Sequence, residues 1–226
     1  DFYYGCSTFE RAEEKLISNS IAKLISRAKV IDSDIDYVIS GDLENQIAAS
    51  DYAMRDFNIP FLGIYSACAT FGEGLILSAN LIEGKCAKKI IVSTGSHNMV
   101  AEKQFRNPTE YGAPKKKTVT WTSTGSASLL LSNKKSKIKV SSATAGMVMD
   151  GGVKDTNNRG AVMALAAADT IRRHLTDLKI KPDYYDLILT GDLGVYGKEI
   201  LIEYLKQGGI DISRNYNDCG LILYDR

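Results

Sequence analysis

Apolar positions along the chain follow two alternating rhythms. Ile17, Ile21, Leu24, Ile25 and Ala28 recur at helical spacing behind Ser7-Thr-Phe-Glu10, which reads as a capping box with Ser7 as N-cap and Glu10 at N3. They predict a helix over about 9–29. Short apolar runs then predict strands at 37–40, 61–65 and 90–93. Helices at 45–57 and 69–83 separate them, the second ended by Gly84. Residues 107–117 read as a loop, and 118–122, 126–131 and 138–143 as strands. An Ala-rich helix at about 160–178, a strand at 187–190, a helix at about 196–207 and a strand at 219–224 follow. Short apolar strands alternating with helices predict an α/β fold with a largely parallel, doubly covered sheet, to which 118–143 adds an antiparallel part.

One pattern occurs twice. Asp36-Tyr-Val-Ile-Ser-Gly-Asp-Leu43 returns as Asp186-Leu-Ile-Leu-Thr-Gly-Asp-Leu193, an offset of 186 − 36 = 150 residues. Each copy follows an amphipathic helix and precedes another helical stretch. That interval is too long for a solenoid repeat and suits two copies of a half-domain. We therefore expect duplicated α/β halves, 1–140 and 141–226, with the second one incomplete. The plainer alternative is two buried strands that happen to end in Gly-Asp turns.

Composition narrows the classes. At 226 residues and 44% hydrophobic, the chain can bury a substantial core. A net charge of +1 gives no overall reason to expect a nucleic-acid partner. No apolar run reaches a membrane-spanning length of about 18–20 residues, and no secretory signal pattern is present. The chain opens on Asp1 without a Met, which leads us to expect a fragment. Four scattered cysteines without Cys-x-x-Cys spacing indicate a reducing, cytosolic compartment rather than a disulfide framework. Two histidines far apart in sequence give no zinc motif, and no cofactor is expected.

Cys68 is the leading candidate for chemistry. It lies in Phe61-Leu-Gly-Ile-Tyr-Ser-Ala-Cys68-Ala-Thr, a strand–turn–helix elbow flanked by small residues. A helix N-terminus there would favour a thiolate or a bound anion; a buried structural cysteine is the alternative. His97 follows the next strand and can emerge at the same sheet edge, giving a Cys–His pairing suited to acyl transfer. It can equally be a structural or surface residue. The segment Ala101-Glu-Lys-Gln-Phe-Arg-Asn-Pro-Thr-Glu-Tyr-Gly112 places Lys103, Gln104, Phe105 and Arg106 in what reads as a loop. Lys103 or Arg106 could meet a carboxylate there. His174, beside Arg172 and Arg173, reads as solvated. Lys115–Lys117 and Lys134–Lys139 read as exposed turns, with contact to anionic lipid head groups as the alternative.

Several of these motifs together resemble the stage V sporulation protein AD family of endospore-forming bacteria. They are Gly41-Asp-Leu-Glu-Asn-Gln46, Ile59-Pro-Phe-Leu-Gly-Ile-Tyr-Ser-Ala-Cys68, Ser96-His-Asn98, Ala101-Glu-Lys-Gln-Phe-Arg106, Gly191-Asp-Leu-Gly194 and Asn215-Tyr-Asn-Asp-Cys-Gly220. The resemblance implies a thiolase-like fold of two similar halves in layered α-β-α-β-α arrangement, with Cys68 at the position of the thiolase nucleophile. It implies binding of dipicolinic acid (pyridine-2,6-dicarboxylate), alone or with calcium, for uptake into the developing spore. The alternative is a thiolase-type acyltransferase using Cys68 and His97. The ligand-binding residues would be drawn from Asp42, Asn45, Cys68, His97, Asn98, Gln104, Phe105 and Arg106. It further implies a homodimer, paired through the 90–93 strand, lying peripherally with other uptake proteins on the cytoplasmic side of the inner forespore membrane. In this chain Glu44 stands where the family usually has Leu.

Overall fold

A computed structural model describes residues 1–105, 116–155 and 157–224. The chain divides into two compact units, Asp1–Gly112 with Thr122–Ser141, and Ala113–Trp121 with Ser142–Arg226.

The first unit begins with helix α1, Phe9–Ala28. Its N-cap is Thr8, one residue later than the capping box predicts, because the Thr8 hydroxyl reaches the Arg11 amide at 3.2 Å. Lys29 ends the helix in the left-handed region, its N–H bonded back to the carbonyls of Ile25 and Ser26. Strand β1, Tyr37–Gly41, leads to helix α2, Ala48–Ala53. The single helix predicted over 45–57 is instead α2 between two 3-10 turns. Gln46 and Ile47 both have positive φ, which breaks the helix before it starts.

Strand β2, Phe61–Gly63, helix α3, Thr70–Glu83, strand β3, Lys89–Ser96, helix α4, Asn98–Phe105, and strand β4, Gly125–Ser132, complete this unit. The sheet order is β2-β1-β3-β4, with β1, β2 and β3 parallel and β4 antiparallel to β3. Ile90, Ile91 and Val92 are fully buried in succession, as expected of a strand covered on both faces. Strand β3 is hydrogen-bonded on both sides, so the expected dimerising edge at 90–93 is an internal strand. Ile17 and Ile21 of α1 pack with Val38, Ala49, Ala53 and Ile91 in the main core of the unit.

In the second unit, helix α5, Arg159–Leu178, packs against helix α6, Gly194–Gln207, with Ala164, Ala168, Leu201, Leu205 and Ile212 between them. Glycine is needed at their crossing, since a Cβ on Gly160 would overlap the Leu193 carbonyl. Strands β5, Ile188–Thr190, and β6, Tyr216–Asp218, form a parallel pair, followed by helix α7, Cys219–Leu223. The strand predicted at 219–224 is therefore a helix, and the strand lies just before it. Asp218 caps α7 by accepting the Leu221 amide. The predicted strands at 118–122 and 138–143 do not form. Among the described residues no neighbouring strand takes up their backbone groups, and β-propensity without a ladder partner does not make a strand.

The repeat is visible in the elements themselves. Helices α1 and α5 each have 20 residues, end at left-handed Lys29 and Lys179, and lead into 3-10 turns at Asp32–Asp34 and Pro182–Tyr184. Each then reaches the strand that carries the repeated motif, β1 or β5, which pairs in parallel with the next strand along the chain.

Candidate functional site

The register sets the location. Ser40 of β1 lies opposite Gly63 of β2 and Ser93 of β3, and Gly41 lies opposite Thr94. The C-terminal ends of three parallel strands thus share one edge. Segments leaving that edge carry Asp42–Ile47, Ile64–Ala69 and His97–Phe105, and in open α/β sheets this edge is where ligands bind.

The Cys68 elbow is tied down by short local bonds. The Ile64 amide continues the ladder to Ser40 O at 3.0 Å. The Thr70 hydroxyl accepts from the Ser66 amide at 3.0 Å and donates to Ala67 O at 2.8 Å. Ala67 is held at φ 46, a conformation that L-residues seldom adopt and that clusters at functional turns. Cys68 is an exposed thiol within the 3-10 turn Ala67–Ala69, immediately before α3 rather than inside its first turn. Gly41 permits this packing, because a Cβ there would overlap Ile64 O and approach the Thr70 methyl to 2.8 Å.

His97 is fully buried, and both ring nitrogens are engaged. Nδ1 accepts from the Met99 amide at 3.2 Å, so Nε2 carries the proton and donates to Phe2 O at 2.8 Å. The ring also stacks on Phe9 at 5.0 Å, and Phe9 stacks on Tyr3 at 4.5 Å. This arrangement leaves neither nitrogen for a thiol. Asn98 donates through Nδ2 to Thr122 O at 2.8 Å, and its amide donates to Thr124 Oγ1 at 3.0 Å, which ties α4 to the chain entering β4.

The segment predicted as a loop from Ala101 is helical through Phe105. Within it Lys103 pairs with Glu10 at 2.6 Å and lies over the Phe9 ring, so its charge is already matched. Gln104 is exposed, Phe105 is half-buried, and Arg106 lies outside the described residues. Asp42 is buried and accepts the amides of Glu44 at 2.8 Å and Ser50 at 2.7 Å, while Asn45 is exposed. Sequence reasoning thus places Cys68, Asp42 and Asn45 on segments leaving the shared edge, whereas His97 and Asn98 are bound into the scaffold.

A group missed in the sequence lies beneath this edge. Glu13 of α1 is fully buried, and neither carboxyl oxygen has a hydrogen-bond partner. Burial first, then the nearby Asp42 and Glu44 carboxylates, pushes its pKa up to about 9; the His97 amide opposes this without completing a hydrogen bond. Glu44 is pushed up to about 7 by burial, then by Asp42 and Glu10, with Lys103 acting in the opposite sense. Burial likewise raises Asp42, against its bonds from Ser50 and Glu44. A signal for Glu13 existed: it stands four and eight residues before Ile17 and Ile21, on the apolar stripe of α1.

In the second unit His174 is half-buried, not solvated as its charged neighbours suggest. Nδ1 meets Thr144 Oγ1 at 2.8 Å and Nε2 meets the Tyr185 hydroxyl at 2.6 Å. At the end of β5 and β6, Asp218 accepts from Thr190 Oγ1 and the Leu193 amide. Burial pushes Tyr216 up to about 12 and also raises the neighbouring Cys219 thiol. Among the described residues no group of three His, Cys, Asp or Glu side chains could hold a metal ion. No helix there is long and apolar enough to cross a membrane.

Elements in this order, with an elbow cysteine after β2, define a thiolase-like α/β fold. Solved structures of similar fold include 3-oxoacyl-[acyl-carrier-protein] synthase III from Aquifex aeolicus VF5, at 14% identity and TM-score 0.64 over 91% of this chain and 68% of that one. OleA from Xanthomonas campestris, solved with lauric acid and lauroyl-CoA, is similar at 13% identity and TM-score 0.63 over 91% of this chain and 67% of that one. The chain belongs to the stage V sporulation protein AD (SpoVAD) family, whose profile matches residues 1–226. It is 41% identical over 217 residues to Stage V sporulation protein AD of Bacillus subtilis (strain 168), covering 96% of this chain. The chain spans 64% of the length of that relative.

Proposed function

We infer that this chain belongs to a non-catalytic protein that binds dipicolinic acid for uptake into the developing endospore. On this reading it lies peripherally on the cytoplasmic side of the inner forespore membrane, beside other uptake proteins. The observation that carries the non-catalytic part is the state of His97. The histidine next in chain order to Cys68 is buried and bonded at both nitrogens, so it offers no base to a thiol. Family membership supports the sporulation role. The ligand is a planar dianion, alone or as its calcium chelate. It would meet the edge carrying Asp42, Asn45 and Cys68, with Gln104, Phe105 and Arg106 contributed from the segment after β3. Arg106 is assigned the carboxylate-pairing role because a guanidinium forks onto carboxylates.

Calorimetry with dipicolinate tests this. Arg106→Ala is expected to weaken binding at least about tenfold, or about 1.4 kcal/mol, and Cys68→Ser to weaken it only slightly. Glu44 adds a pH signature. Its folded pKa of about 7 means that it is neutral below that value and anionic above it. Affinity for the dianion should therefore fall as pH rises through 7, and Glu44→Gln should remove the trend. Unchanged affinity in Arg106→Ala would sink the assignment of that residue.

The second reading is a thiolase-type acyltransferase with Cys68 as nucleophile. The exposed thiol on a strained elbow favours it, as does a fold shared with condensing enzymes. Acyl-CoA turnover that disappears in Cys68→Ser would establish it. As for assembly, a homodimer formed by strand pairing would use β2 or β4, the two outer strands of the sheet. Light scattering of the protein at tens of micromolar, roughly the range that exposes standard-sized interfaces, should show the dimer; a monomer at that concentration counts against it.

A further inference from the structure

The edge opposite the candidate site carries a cluster of exposed lysines. Strands β1 and β3 run away from it towards Asp42 and His97, and antiparallel β4 returns to it, with Ser132 opposite Lys89. The Asn133 amide bonds to Lys88 O at 3.2 Å, which brings the segment after β4 beside the turn between α3 and β3. Lys85 and Lys88 lie in that turn, and Lys134, Lys135, Lys137 and Lys139 follow β4. All six are exposed.

None of the six joins an ion pair among the described residues. Three acids share this end: Asp36 accepts the amides of Lys88 and Lys89 at 2.6 and 2.9 Å, Asp34 binds the Ile31 amide and pairs with Lys89, and Glu83 ends α3 two residues before Lys85. No Asp or Glu occurs between Glu110 and Asp150. Glu10, paired with Lys103, and the buried acids Glu13, Asp42 and Glu44 lie towards the other end of the same unit. A chain of net charge +1 thus gathers six exposed, unpaired lysines at one end of the first unit's sheet.

We propose that this basic end is a docking surface for an anionic lipid bilayer, holding the candidate-site edge away from the membrane. Its chemistry suits lipid head groups better than nucleic acid. The Lys134–Lys139 segment has no arginine to fork onto a phosphate and no aromatic side chain to stack on a base. It instead interleaves lysines with Ile138, 89% exposed, an apolar group that can enter the head-group boundary while lysine stems snorkel around it. Clustered lysines gain from the negative potential of an anionic leaflet, and the attraction decays within a Debye length. The proposal deepens only the peripheral-membrane part of the reading above and does not depend on dipicolinate.

Vesicle co-sedimentation of the chain tests it, comparing phosphatidylglycerol and phosphatidylcholine at about 1:2 with phosphatidylcholine alone. Binding is expected only to the anionic vesicles and should fall steeply with added salt. Lys134→Glu, Lys135→Glu and Lys137→Glu together should weaken it at least about tenfold. The control Lys154→Glu, Lys181→Glu and Lys206→Glu makes the same change in net charge elsewhere and should leave most binding intact. No binding at low salt overturns the proposal, as does equal loss in both triple variants. Tighter binding to a single-stranded oligonucleotide or an acidic peptide than to the vesicles overturns it in favour of that partner. A null result in dipicolinate calorimetry leaves it standing, and a null result with vesicles leaves dipicolinate binding untouched.

Discussion

Glu13→Gln should remove a loss of stability that the first unit shows as pH rises from 4.5 towards about 9. The carboxyl titrates near 4.5 when unfolded and near 9 when folded, because burial beside Asp42 and Glu44 disfavours its charge. Between those values the unfolded state has released the proton and the folded state still holds it. Stability then falls by about 1.4 kcal/mol per pH unit across the window and levels off above it. At pH 7 the accumulated cost is on the order of 3 kcal/mol, reduced to the extent that Glu44 and Asp42 titrate together with it. The amide cannot ionise, so its slope should be shallower, with only the contributions of Glu44 and Asp42 left below about pH 7 and little slope from there to pH 9, even though it leaves polar atoms buried.

The appropriate readout is hydrogen exchange of the β1 and β3 amides across this range. Fluorescence of the single tryptophan, Trp121, would report the second unit instead. Parallel pH slopes in the wild type and Glu13→Gln would show that this carboxyl does not titrate as described.

Gly41→Ala should destabilise the first unit by about 3 kcal/mol or more, the upper end of overpacking costs. The added Cβ would overlap the Ile64 carbonyl, a backbone atom with no rotamer through which to move, and press on the buried Thr70 methyl. The damage should centre on the Cys68 elbow, since Ile64 and Thr70 hold its two ends. Gly72→Ala is the matched control. Nothing lies within 4 Å of its Cβ position on α3, so alanine should stabilise the helix there by roughly 0.8–1 kcal/mol. Denaturant midpoints for the two variants, read by hydrogen exchange within the first unit, should therefore move in opposite directions. A Gly41→Ala midpoint within error of the wild type would contradict the close approach at the elbow.

Local chemistry made much of the fold legible in the amino-acid pattern. Helical periodicity placed α1 and α5, and their repeat at an offset of 150 residues extends to their left-handed terminal lysines and the 3-10 turns that follow. Short apolar runs placed β1, β3 and β5 to within a few residues. The small residues around Cys68 announced an exposed elbow, and its thiol is exposed. These features depend on neighbours a few positions away, which the chain itself specifies.

Features that depend on distant partners were decided by tertiary structure. His97 looked like a companion for Cys68 because both follow parallel strands, yet its ring is held by the carbonyl of Phe2 and the face of Phe9. Thr118–Thr122 carries strand-forming residues but no ladder to join, whereas 219–224 became a helix because Asp218 caps it. Lys103 was matched by Glu10 from a helix far along the chain. By itself the sequence determined α1, α3, α5 and α6, strands β1 to β5, the duplicated pattern and the elbow that presents Cys68, because periodicity, capping and turn chemistry act over a few residues. Which strand lay inside the sheet, which polar groups were already satisfied, and that Glu13 was buried beside Asp42 and Glu44 were decided only when packing brought remote segments together and removed water from between them.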